Sequence, residues 1–232
     1  MMDYFSSSLF SALIMIFTWD RGLWDIVLLS LRCTFLACFF AALFGLPLAL
    51  FLVNNTFPGK RLVLLILNSL LALPTVVVGL LLYVFISRRG ILGPLDLLYT
   101  PTAITLGQFI LIYPLMVIFI YSALNRLDAR YRETAFTLGA TAWQASLAVM
   151  RESRIAMVAA VCTAFGRGIA EVGVSMMLGG NIKGYTRTMT TAMALEYDKG
   201  EFTLALGLGL VLLLVSFILN LALSFFQGKL ER

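Results

Sequence analysis

Long uncharged apolar runs alternate with short polar segments along the chain. Four runs carry no charge and cover residues 33–53, 62–86, 102–124 and 202–228. A fifth run, residues 155–178, contains Arg167 and Glu171. Because a stretch of about 20 apolar residues crosses a bilayer as a helix, we predict five spans, the first extended upstream over residues 24–32. We expect kinks within the spans at Pro47, Pro74 and Pro114.

The N-terminal segment is shorter than these runs. Residues 4–19 are uncharged throughout and lie between Asp3 and Asp20. An acidic start is not typical of a secretory signal peptide. We therefore predict that residues 1–23 form a helix in the membrane interface, with Trp19 and Trp24 as anchors. A short sixth span is the alternative.

Composition supports a membrane protein. Hydrophobic residues make up 61% of the chain and charged residues 12%, against about 45–50% and 25% in ordinary soluble domains. These values exclude a soluble enzyme, a disordered chain and a secreted disulfide scaffold. Histidine is absent, which removes the commonest general base and metal ligand, and no metal-ligand spacing is present. Cys33, Cys38 and Cys162 lie in apolar runs and are interpreted as small apolar fillers.

Loop charges predict the orientation. The net charge is +5, but the seventeen basic residues are spread along the chain, so we interpret them as topology markers and not as a nucleic-acid-binding surface. Segments 54–61, 125–154 and 229–232 carry nine basic and four acidic residues; the opposite side carries seven of each, leaving aside Arg167 and Glu171. This bias places the first group in the cytoplasm. We expect the N-terminus outside and residues 229–232 as a cytoplasmic tail.

The loop over residues 125–154 is longer than a turn requires. Its sequence favours helices with a break at residues 139–141, followed by an amphipathic element with Trp143, Leu147 and Met150 at helical spacing. Exposed apolar groups and arginines are typical of a docking surface or of a helix resting on lipid headgroups. Spacing alone leaves the two interpretations open.

A motif in this loop resembles a known family. Glu133, Thr134 and Ala135 are followed after three residues by Gly139, which is similar to the "EAA…G" loop of ABC-importer permeases. Val149 replaces the usual isoleucine, and Arg151 and Glu152 replace the usual Leu-Pro. The resemblance implies a coupling helix that contacts an ATP-binding subunit, with Gly139 and Ala140 at a tight bend. It also implies that Ala135 allows close approach and that Glu133 is an N-terminal helix acid or a salt-bridge partner.

The rest of the chain resembles the permeases of tungstate importers, in the molybdate/tungstate branch. The similarity is carried by residues 57–61, 73–80, 166–173, 179–182, 184–188 and 190–196. It implies an all-α membrane protein with a five-span type I ABC-importer permease core over residues 24–228. It implies a transport subunit for a tetrahedral oxyanion in the cytoplasmic (inner) membrane, with tungstate favoured and molybdate or sulfate as alternatives.

The resemblance also implies partners. These are a second copy of the chain, two copies of a subunit that binds ATP and Mg²⁺, and an extracytoplasmic oxyanion-binding protein, all organised on the lipid bilayer. The chain itself lacks a G-x-x-x-x-G-K-[ST] sequence, so we expect no cofactor and no enzymatic activity in it. A secondary transporter driven by an ion gradient is the alternative from another class, but its typical internal repeat is not found.

Two groups of residues are candidates for contact with substrate or partners. Arg167 and Glu171 are four residues apart, so we expect them on one helix face, as a structural ion pair or beside the translocation path. In the outer loop 179–203, Gly180 is a candidate for a position near the substrate or the binding protein, and the alternative is that it ends a helix. Asn181, Arg187 and Thr188 offer donors suited to an oxyanion or to a binding protein.

Overall fold

The chain is built of helices joined by short turns over the residues that the computed structural model describes, 2–126 and 129–228. Eleven α-helices and one 3₁₀ turn at Gly93–Leu95 occur there. The helices are α1 (Met2–Phe17), α2 (Arg21–Asn54), α3 (Lys60–Leu70), α4 (Thr75–Ile86), α5 (Pro101–Asn125), α6 (Ala129–Thr137), α7 (Ala142–Glu152), α8 (Arg154–Ile169), α9 (Gly173–Gly179), α10 (Met189–Lys199) and α11 (Phe202–Gly228).

The five predicted apolar runs all form membrane-length helical segments, but two of them are broken. Three helices, α2, α5 and α11, are each long and apolar enough to cross a membrane. The second run forms α3 and α4, bent by 101°, and the fourth forms α8 and α9, bent by 57°. The membrane-protein fold class is therefore confirmed, with five spans if each bent pair counts as one.

The three prolines at which kinks were expected differ in their effect on the helix. Pro47 and Pro114 lie inside the continuous helices α2 and α5. At Pro74 the helix breaks completely, so the prediction of a single kinked helix over residues 62–86 is wrong. Leu71, Ala72 and Leu73 donate backbone hydrogen bonds three residues back, and Pro74 then begins α4 in an extended conformation. The tightened turn and the missing proline N–H together end the helix there.

Small residues bring the central helices together. The main core joins Ala37, Ala41 and Ala49 of α2 to Met116 of α5 and Ala164 of α8, all buried. Small side chains let helix backbones approach closely, which is how helices associate in lipid. Cys33 and Cys38 are also buried and unpaired, and Cys162 is half-buried, in agreement with their interpretation as fillers.

Helix α1 packs mainly against α11 at the edge of the helical array. The rings of Trp19 and Trp24 stack with centroids 4.5 Å apart where α1 turns into α2. The apolar stretch of α1 within the described residues, Ser6–Phe17, is shorter than a membrane span. The interfacial position of residues 1–23 stays a prediction. The predicted tail 229–232, with Lys229, Glu231 and Arg232, and the loop acid Asp128 lie outside the described residues.

Candidate functional site

The two broken spans meet at their breaks. A Cβ atom placed on Gly173, the first residue of α9, would lie 2.8 Å from the Thr75 Oγ1 atom and 3.2 Å from the Val76 backbone nitrogen. A Cβ atom on Gly79 would lie 3.3 Å from the Val174 Cα atom. A side chain at either position would press on the opposing helix, so Gly79 and Gly173 allow α4 and α9 to pack in near contact.

Arg167 and Glu171 form an ion pair at the break of the fourth span. Helix α8 ends at Ile169 and α9 begins at Gly173, so Arg167 lies in the last turn of α8 and Glu171 lies in the break, and the prediction that they share one helix face is wrong. The pair nonetheless forms, with Arg167 Nη1 donating to Glu171 Oε2 over 2.6 Å. The Glu171 side chain is 3% exposed and that of Arg167 is 43% exposed. The carboxylate is therefore buried inside the protein, and the guanidinium group is partly exposed.

Glu171 also organises the turn that follows. Its Oε1 atom accepts from the Val174 backbone N–H at the start of α9. Its backbone carbonyl accepts from the Thr190 hydroxyl on α10 over 2.7 Å. A carboxylate at the start of a helix satisfies a free N–H group there and faces the favourable end of the helix dipole. This single residue thus connects α8, α9 and α10.

The predicted outer loop 179–203 contains a helix that the sequence analysis missed. Thr188 caps α10, and its backbone N–H donates to the Thr191 hydroxyl over 3.0 Å. Gly200 ends the helix in the left-handed conformation, with φ of +77°. The Thr-x-x-Thr spacing and the terminal glycine are the signals in the sequence that could have found it.

The four candidate residues of this segment serve internal contacts. Gly180 ends α9 with φ of +68°, in agreement with the alternative interpretation, and a Cβ atom placed on it would lie 2.7 Å from the Tyr99 ring. Asn181 Nδ2 donates to the Thr191 carbonyl, and Arg187 pairs with the buried Glu196 over 3.4 Å. With Thr188 acting as a helix cap, the geometry favours a structural use of this group.

The loop over residues 125–154 forms the predicted pair of helices with a break between them. Gly139 has φ of +80°, a left-handed conformation that favours glycine, and so makes the tight bend after α6. Thr141 then caps α7 in a reciprocal capping box with Gln144. Glu133 and Gly139 are exposed, while Ala135 and Ala140 are half-buried.

This helical pair is hydrogen-bonded to the membrane helices and exposes large apolar side chains at its bend. Asn54 Nδ2 at the end of α2 donates to Ser146 Oγ of α7 over 2.9 Å. Ser153 Oγ, between α7 and α8, donates to the Ala123 carbonyl of α5. The bend carries large exposed apolar side chains, with Leu138 82% and Trp143 67% exposed. Exposed apolar groups beside a rigid attachment are typical of a protein contact surface.

The described part of the chain offers no metal site. No group of three or more histidine, cysteine, aspartate or glutamate residues placed to hold a metal ion occurs among the described residues. The chemistry available at the breaks and at the α6–α7 bend is ionic pairing, hydrogen bonding and apolar contact.

Comparison with known proteins identifies the class. Residues 41–232 match the family model described as binding-protein-dependent transport system inner membrane component. The chain belongs to this family and is a multi-pass inner-membrane transport subunit. The fold agrees: a solved structure titled as an inward-facing conformation of the MetNI methionine ABC transporter superposes with a TM-score of 0.70, at 19% identity, covering 92% of this chain and 97% of that one.

The names of individual relatives are more specific than the family description. A tungstate uptake system permease, TupB of Peptoclostridium acidaminophilum, is 37% identical over 98% of this chain and 100% of its own length. TupB of Campylobacter jejuni is 42% identical over 76% of this chain and 72% of its own. The molybdenum transport permease ModB of Escherichia coli K12 is 37% identical over 73% and 78%. The resemblance to tungstate-type permeases is thereby confirmed.

Proposed function

We propose that the chain is the permease subunit of an ATP-driven importer for a tetrahedral oxyanion, with tungstate as its substrate. The observation that carries this proposal is the 37% identity with a tungstate uptake permease over the full length of that protein. The molybdenum permease reaches the same identity over a shorter part of the chain, and a sulfate permease reaches 30%. The three oxyanions are dianions of similar shape, so selection among them belongs to the separate binding protein.

The α6–α7 pair is the proposed contact with a separate ATP-binding subunit. Its bend projects Leu138 and Trp143, and Gly139 has no protein atom within 4 Å of where a Cβ would lie. The chain has no phosphate-binding loop of its own. Two copies of the chain would form the path between them, and two ATP-binding subunits would dock on the two α6–α7 pairs at the cytoplasmic face.

Helix α8 is suited to carry motion from this contact to the path. It begins at Arg154, directly after α7, and leads to the break beside Arg167 and Glu171. At about 1.5 Å per residue, α8 is a rod about 24 Å long. ATP-driven closure of the ATP-binding subunits would displace α7 and tilt this rod. The spans would thus switch between inward-open and outward-open states.

The Arg167–Glu171 pair is the proposed charged contact along the path. A charge in a membrane segment is costly unless it is paired or faces water, and Arg167 is both paired and 43% exposed. Glu171 cancels much of the field of the arginine. A passing dianion would therefore be attracted without being held tightly, as a conduit requires.

Uptake by the complete transporter in right-side-out vesicles or proteoliposomes, with ATP inside and the binding protein outside, tests the proposal. Tungstate accumulation should need ATP on the side of the ATP-binding subunit and the binding protein on the other. A tenfold excess of molybdate should compete more strongly than the same excess of sulfate. Tungstate uptake driven by an ion gradient without ATP would contradict the proposal. Uptake of molybdate in preference to tungstate would replace the substrate while leaving the transporter class intact.

A further inference from the structure

A cleft of about 800 Å³ opens at the end of α2 that is remote from the α6–α7 pair. It is walled by α1, by the first turns of α2 and by the segment around α10. Its basic lining residues are Arg32, Lys183, Arg187 and Lys199, and its acidic ones are Asp20, Asp25, Glu196 and Glu201. Neither the conduit nor the coupling surface described above uses this cleft.

Half of these charged groups take part in hydrogen bonds or ion pairs within the chain. Glu196 accepts from Arg187 over 3.4 Å and from Lys199 over 3.0 Å. Asp20 caps α2 by accepting from the Leu23 N–H. Among the described residues, Arg32, Lys183, Asp25 and Glu201 make no side-chain hydrogen bond or ion pair. The cleft thus offers two free cations and two free carboxylates. An anion alone would meet equal attraction and repulsion there, whereas a zwitterion would match both signs.

The depth of the cleft corresponds to the lipid headgroups. The uncharged run after Arg32 covers residues 33–53, which at about 1.5 Å per residue is long enough to cross the hydrocarbon core of about 30 Å. Arg32 therefore lies at the boundary of that core. Asp25 lies two helical turns, about 10 Å, further toward water. The cation is the deeper group and the carboxylate the outer one.

An apolar track continues below the cleft on the same face of α2. Arg32, Phe35 and Phe39 follow one another at helical spacing. Phe35 is 63% exposed and Phe39 is 52% exposed. Above Arg32, Leu28 on the same face is 60% exposed and lines the cleft. A ligand with a charged end in the cleft and a hydrocarbon tail would therefore cover this face continuously.

We propose that this cleft binds one zwitterionic phospholipid of the phosphatidylethanolamine type. Its phosphate would contact Arg32 and Lys183, and its primary ammonium would donate to Asp25 and Glu201, while an acyl chain follows Phe35 and Phe39. The inner phosphate and outer ammonium of this lipid match the order of charges along α2. The inference rests on α2 and the α10 segment, so it does not depend on the transported substrate.

Native mass spectrometry of the detergent-purified transporter complex tests this site. The complex is first stripped of lipid by washing and then offered phosphatidylethanolamine, phosphatidylcholine or phosphatidylglycerol with identical acyl chains. We expect phosphatidylethanolamine to be retained best, because phosphatidylcholine has no N–H donor and phosphatidylglycerol has no cation. Arg32→Gln and Asp25→Asn should each lower its retention about fivefold, the effect of one lost charge-assisted hydrogen bond at a partly exposed site.

Arg89→Gln is the matched control. Arg89 is also exposed and lies outside the cleft, in the loop between α4 and α5, so this variant should retain phosphatidylethanolamine as the wild type does. Equal retention of the three lipids by the wild type would overturn the proposal without any variant. So would stronger retention of phosphatidylglycerol, or an unchanged Arg32→Gln. Displacement of the lipid by soluble tungstate would also overturn it and make the cleft an oxyanion site.

Discussion

At the scale of single residues, Glu171 has the most connections that matter to the candidate path. Its carboxylate accepts from Arg167 and from the Val174 N–H, and its carbonyl accepts from Thr190. Removing the charge leaves Arg167 without its partner in a segment where an unpaired charge is costly. The residue therefore links the shape of the break to the charge along it.

We expect Glu171→Gln to lower the free energy of unfolding by about 2 kcal/mol, the typical cost of losing a hydrogen bond to a charged group. The amide oxygen can still accept from Val174, so the fold should persist. Thermal unfolding of the purified protein measures the effect. Glu152→Gln, at an exposed acid on α7, should leave the midpoint unchanged. Equal midpoints for Glu171→Gln and the wild type would show that the ion pair does not stabilise the fold.

Residue-level chemistry was partly predictable from the sequence. The four-residue spacing of Arg167 and Glu171 correctly indicated a pair, and Gly139 correctly indicated a bend with φ of +80°. The roles of Asn181, Arg187 and Thr188 were not readable. A hydroxyl, amide or guanidinium group can bind a ligand or satisfy the local backbone equally well, and only the fold decides between these uses.

At the scale of helices, α5 packs closely against α9, the second half of the bent fourth span. A Cβ atom on Gly107 of α5 would collide with Val174 Cγ1 and lie 2.7 Å from Leu178 Cδ1. Both of these side chains are fully buried in α9. Glycine at this position therefore sets how near the two helices can approach.

Gly107→Ala should destabilise the protein by about 1–3 kcal/mol through overpacking, despite the better helix propensity of alanine. Gly209→Ala in α11 is the matched control, because its Cβ would meet only the flexible Met193 Cε atom at 3.5 Å. The control should be neutral or stabilising. Thermal unfolding of both variants in the same detergent makes the comparison. Indistinguishable midpoints would mean that α5 and α9 do not pack as described.

The existence of the membrane-length helical segments was predictable from apolar run length, but their continuity was not. A run such as residues 62–86 is equally apolar whether it is straight or bent by 101°. Pro74 marked the position of the change without its size. Pro47 and Pro114, with the same chemistry, lie inside unbroken helices. The stretches around Pro47 and Pro114 pack into the main core, through Ala49 of α2 and Met116 of α5.

At the scale of the whole molecule, helix α8 connects the proposed docking surface on α6 and α7 to the break in the fourth span. The α6–α7 pair is held to α2 and α5 by Asn54 and Ser153. Helix α8 leads from there to the break where Arg167 and Glu171 meet. The overall class was predictable because composition and one loop motif constrain it. The partners could be inferred only from resemblance, because a contact between chains leaves no periodic pattern in one sequence.

The central claim is that this chain is driven by a separate ATP-binding subunit that docks at Gly139, and one purification tests it most directly. Wild type, Gly139→Asp and Gly59→Asp are isolated in mild detergent, co-purifying proteins are identified by mass spectrometry, and substrate-stimulated ATPase activity is measured. Gly59 is the matched control, because it has φ of +93° and an equally open Cβ position, but lies outside the α6–α7 pair.

We predict that wild type and Gly59→Asp retain an ATP-binding subunit with stimulated ATPase activity. Gly139→Asp should be inserted in the membrane but lose that stimulation. A wild-type chain that purifies as a lone homo-oligomer, or a Gly139→Asp variant with full stimulation, would contradict the account.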